Sequence, residues 1–154
     1  MWRTFCLVAG LMLAGLASAS GGGSPPARSS ADSETSKAIA SARQSIDQQQ
    51  WDQALQVLDA ARQRDPRNAD LWNWTGYCER KRGNLQQAFA AYDEALRLNP
   101  RHLGAHEYLG EAWLQAGQPE KAQAVLDQLK TLCGTCEEER DLAAAIDTYR
   151  AKAQ

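Results

Sequence analysis

From residue 35 onward, apolar residues return every three or four positions, the spacing that lines one face of an α-helix. Amphipathic stretches of about 14 residues alternate with short polar turns such as Lys81-Arg82-Gly83-Asn84. Pro66 and Pro100 each follow a helical stretch and stop it, because proline lacks the amide proton and restricts the residue before it. No segment shows sustained two-residue alternation bounded by hairpin signals, so no sheet is expected. Beyond Cys133-Gly134-Thr135-Cys136, Leu142, Ala145, Ile146 and Tyr149 share one face of a last predicted helix. Glu137-Glu138-Glu139 at its start and Arg150 and Lys152 at its end suit the helix dipole.

The pattern repeats. Ala54, Ala88 and Ala122 stand 34 residues apart, and so do Leu58, Tyr92 and Leu126, and Ala61, Ala95 and Leu129. Pro66 pairs with Pro100, Gly83 with Gly117, and Gly76 with Gly110, with Ala42 in the earlier slot of that last column. The columns have a mechanical meaning. Small residues at 76, 110, 54, 88 and 122 let two helices of a hairpin approach closely. Trp51, Leu85, Tyr92, Leu126, Trp72 and Trp113 are expected to fill the space around them.

Leu71-Trp72 to Gly76, followed by Ala88, Tyr92, Ala95 and Pro100, resembles the tetratricopeptide repeat signature. The resemblance covers about residues 35–134, in units at 35–68, 69–102 and 103–134. It implies an all-α, right-handed solenoid of three hairpins, with residues 135–154 as the helix that covers the last core face. The ending, a cysteine pair before a final helix, is similar to that of small exported bacterial members of the family, which implies a periplasmic address. The family is defined by its scaffold, so the resemblance implies binding and leaves the partner open. In such proteins the first helix of each hairpin lines a concave groove. Mapped onto this chain, the groove slots hold Ile39, Arg43, Asn73, Trp74, Tyr77, Arg80, Glu107, Tyr108 and Glu111. Aromatic and arginine side chains there are suitable anchors for a peptide or an amphipathic helix. The plainer alternative is that Trp74 and Tyr108 pack against the neighbouring hairpin. The asparagine and lysine clamp that some relatives use for a peptide C-terminus is not reproduced, since Ile39, Arg43, Trp74, Gly104 and Tyr108 occupy those slots.

The N-terminus reads differently. Arg3, an apolar run from Phe5 to Leu16, and Ala17-Ser18-Ala19 have the layout of a secretory signal cut after Ala19, with an uncleaved anchor as the alternative. Residues 20–34, rich in glycine, serine and proline, are expected to form a disordered linker. Once the signal is removed, no membrane insertion is expected. A hydrophobic fraction of 44% is ordinary for a folded protein, and a net charge of −2 supplies no basic face for nucleic acid.

Export bears on the cysteines. Cys133 and Cys136, close together in an oxidising compartment, are read first as a disulfide that staples the third hairpin to the last helix. Chain entropy gives so small a loop at most about 2 kcal/mol. A redox-active pair, with the Cys136 thiolate favoured at a helix N-terminus, or a metal-handling pair, are the alternatives. Cys78 falls inside a helix and reads as a small buried residue. His102 and His106 are four apart, but His102 falls at or before a helix start. His106 takes the packing slot of Trp72, so the pair reads as structural rather than as metal ligands. No elbow serine, phosphate-binding glycine loop or triad is present. The expectation is a non-catalytic scaffold without cofactor or metal, holding a protein or peptide, with self-association through a hairpin face as a further possibility.

Overall fold

The computed structural model describes residues 28–153 of the chain. Seven helices run in order, and no strand occurs among the described residues: α1 (Arg28–Asp47), α2 (Trp51–Arg64), α3 (Ala69–Lys81), α4 (Leu85–Leu98), α5 (Leu103–Gln115), α6 (Pro119–Cys133) and α7 (Glu137–Lys152). The signal assigned to residues 1–19 and most of the linker lie outside the described residues. The rest of the linker is a correction, because α1 begins at Arg28 rather than at residue 35. Thr35 is buried, and its Oγ1 donates to Asp65 Oδ2 at 3.3 Å, which docks this part of α1 on the end of α2. Extending a docked helix upstream costs only one residue fixed per added bond, so the helix can run on through the polar residues before Thr35.

Consecutive helices pair as α1–α2, α3–α4 and α5–α6, and α7 packs on both α5 and α6. The three hairpin turns share one hydrogen-bond pattern. Gly83 N–H donates to Arg80 O and Asn84 N–H to Glu79 O; Gly117 and Gln118 bond in the same way to Leu114 and Trp113. This paired capping needs a left-handed residue, and Gly83 (φ 85°) and Gly117 (φ 72°) supply it without steric penalty. In the first hairpin the same position holds Gln49, which adopts φ 56° and makes the equivalent bond to Ile46 O. A side chain in that region carries strain that glycine avoids.

The core is divided along the stack. Ala42, Ile46, Ala54, Leu55, Leu58, Ala61, Leu71 and Cys78 form one buried cluster from α1 to α3. Tyr92, Leu109, Leu126, Leu129, Leu142 and Ile146 anchor a second, built from α4 to α7. The residue expected to fill space at position 72 does something else. Trp72 is half-buried, its Nε1–H donates to Pro66 O at 2.9 Å, and the Arg62 guanidinium lies 4.2 Å above its ring. His106, in the same column, makes the same bond to Pro100 O at 3.0 Å. Both side chains therefore use a ring N–H to fasten a helix to the carbonyl of the proline that ended the previous hairpin.

Candidate partner-binding groove

The first helices of the hairpins, α1, α3 and α5, lie side by side, and α7 continues the row beyond α5. The starts of α3 and α5 are fixed by side-chain caps. Asn68 Oδ1 accepts from Asp70 N and Leu71 N at the start of α3, and His102 Nδ1 accepts from Ala105 N at 3.1 Å at the start of α5. With Nδ1 accepting, the His102 proton sits on Nε2, which donates to Asp70 Oδ1 at 3.0 Å and ties the two helix starts together. His102 holds the Asp70 carboxyl below its ordinary range, through this hydrogen bond first. His102 thus sits immediately before its helix, as its position after Pro100 indicates.

On this row the aromatic residues form a continuous strip. Tyr77 lies 5.0 Å from Tyr108, 5.7 Å from Trp74 and 6.4 Å from Trp51 between ring centroids, and Trp74 lies 6.2 Å from Tyr108. The interplanar angles, 54° to 68°, are tilted or edge-on contacts of the kind favoured by ring quadrupoles. All four rings are half-buried. Burial pushes the Tyr108 hydroxyl up to about 12 and raises that of Tyr77 as well.

Cations surround the strip. Arg43 of α1 lies 5.3 Å from the Trp74 ring, and Lys81 lies 5.3 Å from Tyr77. Arg80 is different, being buried beneath the strip and 5.4 Å and 5.8 Å from Tyr77 and Tyr108. It pairs with Glu111 at 2.5 Å, so its charge is met from within the protein. Asn73 is also buried, with 3% of its surface exposed.

Asn73, Trp74, Glu107 and Tyr108 border a cleft of about 310 Å³ at the α7 end of the row, which Gly104, Asp70 and His102 also line. Burial first, then Glu111, Asp141 and Glu138, push the Glu107 carboxyl up to about 8 against the opposing Arg80. A second cleft, lined by Ile46, Asp47, Gln49, Trp51, Tyr77 and Lys81, opens at the other end of the strip.

The eight groove residues read from the sequence, Arg43, Asn73, Trp74, Tyr77, Arg80, Glu107, Tyr108 and Glu111, therefore all fall on α1, α3 and α5 around this strip. Trp74 and Tyr108 do pack on neighbours, yet each keeps part of its surface open. Trp51 packs against the N-terminal core as its column indicates and also places its ring beside Tyr77, and neither that position nor the α7 carboxylates is signalled by the repeat pattern. Ile39 packs against the N-terminal core instead.

Cys78 is buried, with its thiol pushed up to about 12 by burial, as its helix position indicates. Cys133 and Cys136 Sγ are 2.10 Å apart, at disulfide distance. Among the described residues no three His, Cys, Asp or Glu side chains are grouped to hold a metal ion, and no helix is long and apolar enough to cross a membrane.

Glu107 gives a stability test. Its folded pKa lies above the unfolded value, so stability is full below about pH 4.5 and falls as pH rises through about 8. Glu107 keeps part of its surface in water, and solvent screening leaves on the order of 1 kcal/mol of this effect. Urea unfolding should find Glu107→Gln about 1 kcal/mol more stable than the parent at pH 8.5 and equal to it at pH 4. Equal midpoints at both pH values would remove the repulsion argument.

Comparison with known proteins bears on the fold. Family models described as tetratricopeptide repeat match residues 39–101 and 79–131. A search of curated proteins found no match. Among solved structures, the chain is similar to the TPR2B domain of yeast Sti1 in its pHsp70 complex (15% identity, TM-score 0.69, 77% of this chain and 98% of that one). It is also similar to the Arabidopsis OM64 TPR domain (15%, 0.68, 79% and 98%). A third is the Yersinia enterocolitica type III secretion chaperone SycD in complex with a peptide of the translocator YopD (15%, 0.65, 77% and 94%). At this identity the likeness shows the fold alone. With three hairpins at a 34-residue period, a covering helix, and repeat models matched from residue 39 to residue 131, the chain belongs to the tetratricopeptide repeat family.

Proposed function

We propose that the chain is a non-catalytic adaptor, exported to the periplasm, that holds a segment of a partner protein along the strip Trp51-Tyr77-Trp74-Tyr108. The observation that carries this reading is the strip itself. Tyr77, Trp74 and Tyr108 meet in a triangle of half-buried rings and Trp51 adjoins Tyr77, with one cleft beside Trp51 and Tyr77, another beside Trp74 and Tyr108, and cations at the ring faces. Partly buried aromatics are the side chains from which binding anchors are built, because they offer large apolar area at small entropy loss. Support also comes from the peptide and protein complexes of the similar Sti1 and SycD structures. The Cys133–Cys136 pair, at disulfide distance between α6 and α7, fits the same picture as a staple of the last helix.

A photo-crosslinking residue at position 108, compared with one at position 124 on the exposed face of α6, tests this in the producing cell. A single protein adduct should form from position 108, and Trp74→Ala should abolish it. Equal adducts from both positions, or none from position 108, would sink the groove reading. The N-terminus of the recovered protein, expected at Ser20, tests the export part.

A further inference from the structure

The cleft at the α7 end of the groove has an unusual balance of charge. Asp70, Glu107, Glu137, Glu138 and Asp141 all line it, and among the described residues no lysine or arginine does. The helix dipole accounts for glutamates in the first turn of α7. It does not account for Glu107, which comes from α5, or for Asp141, which lies further along α7. Carboxylates gathered from α3, α5 and α7 raise each other's energy, and Glu107 is already driven toward its neutral form by burial and by Glu111, Asp141 and Glu138. Among the described residues, the cation facing Glu107 from another element is Arg80 of α3, and it is engaged by Glu111. His102, the basic group on the cleft wall, is engaged by Asp70.

A second observation is independent of the charges. Asn73, 97% of whose surface is covered, lines the same cleft, and its Oδ1 has no hydrogen-bond partner. An unpaired buried acceptor is costly, and a donor entering the cleft would satisfy it. The acidic groups do not converge on one point as ligands of an ion would. They surround a volume, with Trp74 and Tyr108 as its apolar walls. That combination suits a planar cation with several N–H donors, which can stack on an aromatic face and bond to carboxylate and amide oxygens at once. Guanidinium has this form, whereas ammonium is a point charge.

We propose that this cleft receives one arginine side chain of the partner segment, whose apolar neighbours lie on the aromatic strip. This deepens the groove reading and rests on it. It reverses the polarity of a carboxylate clamp: the protein supplies the anions and the partner the cation.

The test is selection of a displayed random twelve-residue peptide library against the whole chain, with Trp74→Ala as a counter-target. Selected peptides should carry arginine at one fixed distance from an aromatic or aliphatic residue. Replacing that arginine by citrulline, its neutral isostere, should weaken binding at least tenfold by calorimetry. Glu107→Gln/Glu138→Gln/Asp141→Asn should do the same while helical circular dichroism is unchanged. Should the triple variant fail to fold, the citrulline comparison on the parent chain decides alone. Peptides that are selected through Trp74 but bind equally with citrulline would overturn the arginine proposal and leave the groove reading standing. Selection of nothing that depends on Trp74 would overturn both.

Discussion

Leu142→Ala is expected to destabilise the protein by about 3–4 kcal/mol, lowering the urea midpoint and exposing the end of the stack. Leu142 has none of its surface exposed, and it is the α7 residue that sits directly on Gly110 of α5. A Cβ at Gly110 would stand 2.5 Å from Leu142 Cδ2, so no space is left between them. The leucine branches occupy the socket that glycine leaves in the α5 backbone. Alanine would leave it empty, and because its floor is backbone no neighbouring side chain can relax into it. The loss is then transfer energy plus a persistent cavity, the upper part of the usual range for this substitution. Leu109, Leu126, Leu129 and Ile146 share the same cluster and lose contacts with it. The effect should be local. In a stack where each hairpin touches only its neighbours, amide exchange should rise most in α5, α6 and α7 and least in α1 and α2. A cost below 1 kcal/mol, or uniform loss of protection, would mean that α7 does not close this core.

How the strip could be read from sequence, and why parts of it could not, follows from the same geometry. The 34-residue period sets the register, and the family resemblance implies which face lines the groove, so Arg43, Trp74, Tyr77 and Tyr108 could be assigned to one row before any contact was known. Column logic fails where one position serves two purposes. Trp51 falls in a core column with Leu85, yet as the first residue of α2 its ring reaches the end of the strip. Trp72 and His106 differ in bulk, and their shared bond to the proline carbonyl is invisible to a hydrophobicity pattern. Gln49 could have been found, since it occupies the Gly83 and Gly117 column and the turn demands a left-handed residue there. The His102–Asp70 bond spans 32 residues and depends on how two helix starts align, which no local pattern encodes. The acidic cleft was hidden for a related reason: Glu137, Glu138 and Asp141 meet Glu107 only because α7 continues the row of first helices.

Gly76→Ala makes the close approach within a hairpin testable, and the expected sign is opposite to that of the helix propensity. In an exposed helix this change would stabilise by about 1 kcal/mol. Here the added Cβ would stand 2.5 Å from Tyr92 Cε1, 2.6 Å from Cδ1 and 2.9 Å from Cζ. Tyr92 is fully buried in the C-terminal cluster, so its ring cannot swing aside without displacing α5 or α6 residues packed against it. Overpacking of this kind outweighs propensity, and a net loss of about 2 kcal/mol is expected. The first repeat supplies the control. Ala42 occupies the same column and already carries the methyl group, with the leaner Leu58 in the column of Tyr92. A methyl group at this position is therefore tolerated when the facing side chain is smaller, and Tyr92→Leu should recover part of the loss in the Gly76→Ala background. Unfolding free energies of the parent, both single variants and the double variant should give a coupling of at least about 1 kcal/mol in favour of the small-with-large and methyl-with-leucine pairs. Additive effects would show that the ring and the glycine do not set each other's fit, and that the hairpin spacing is imposed from elsewhere in the stack.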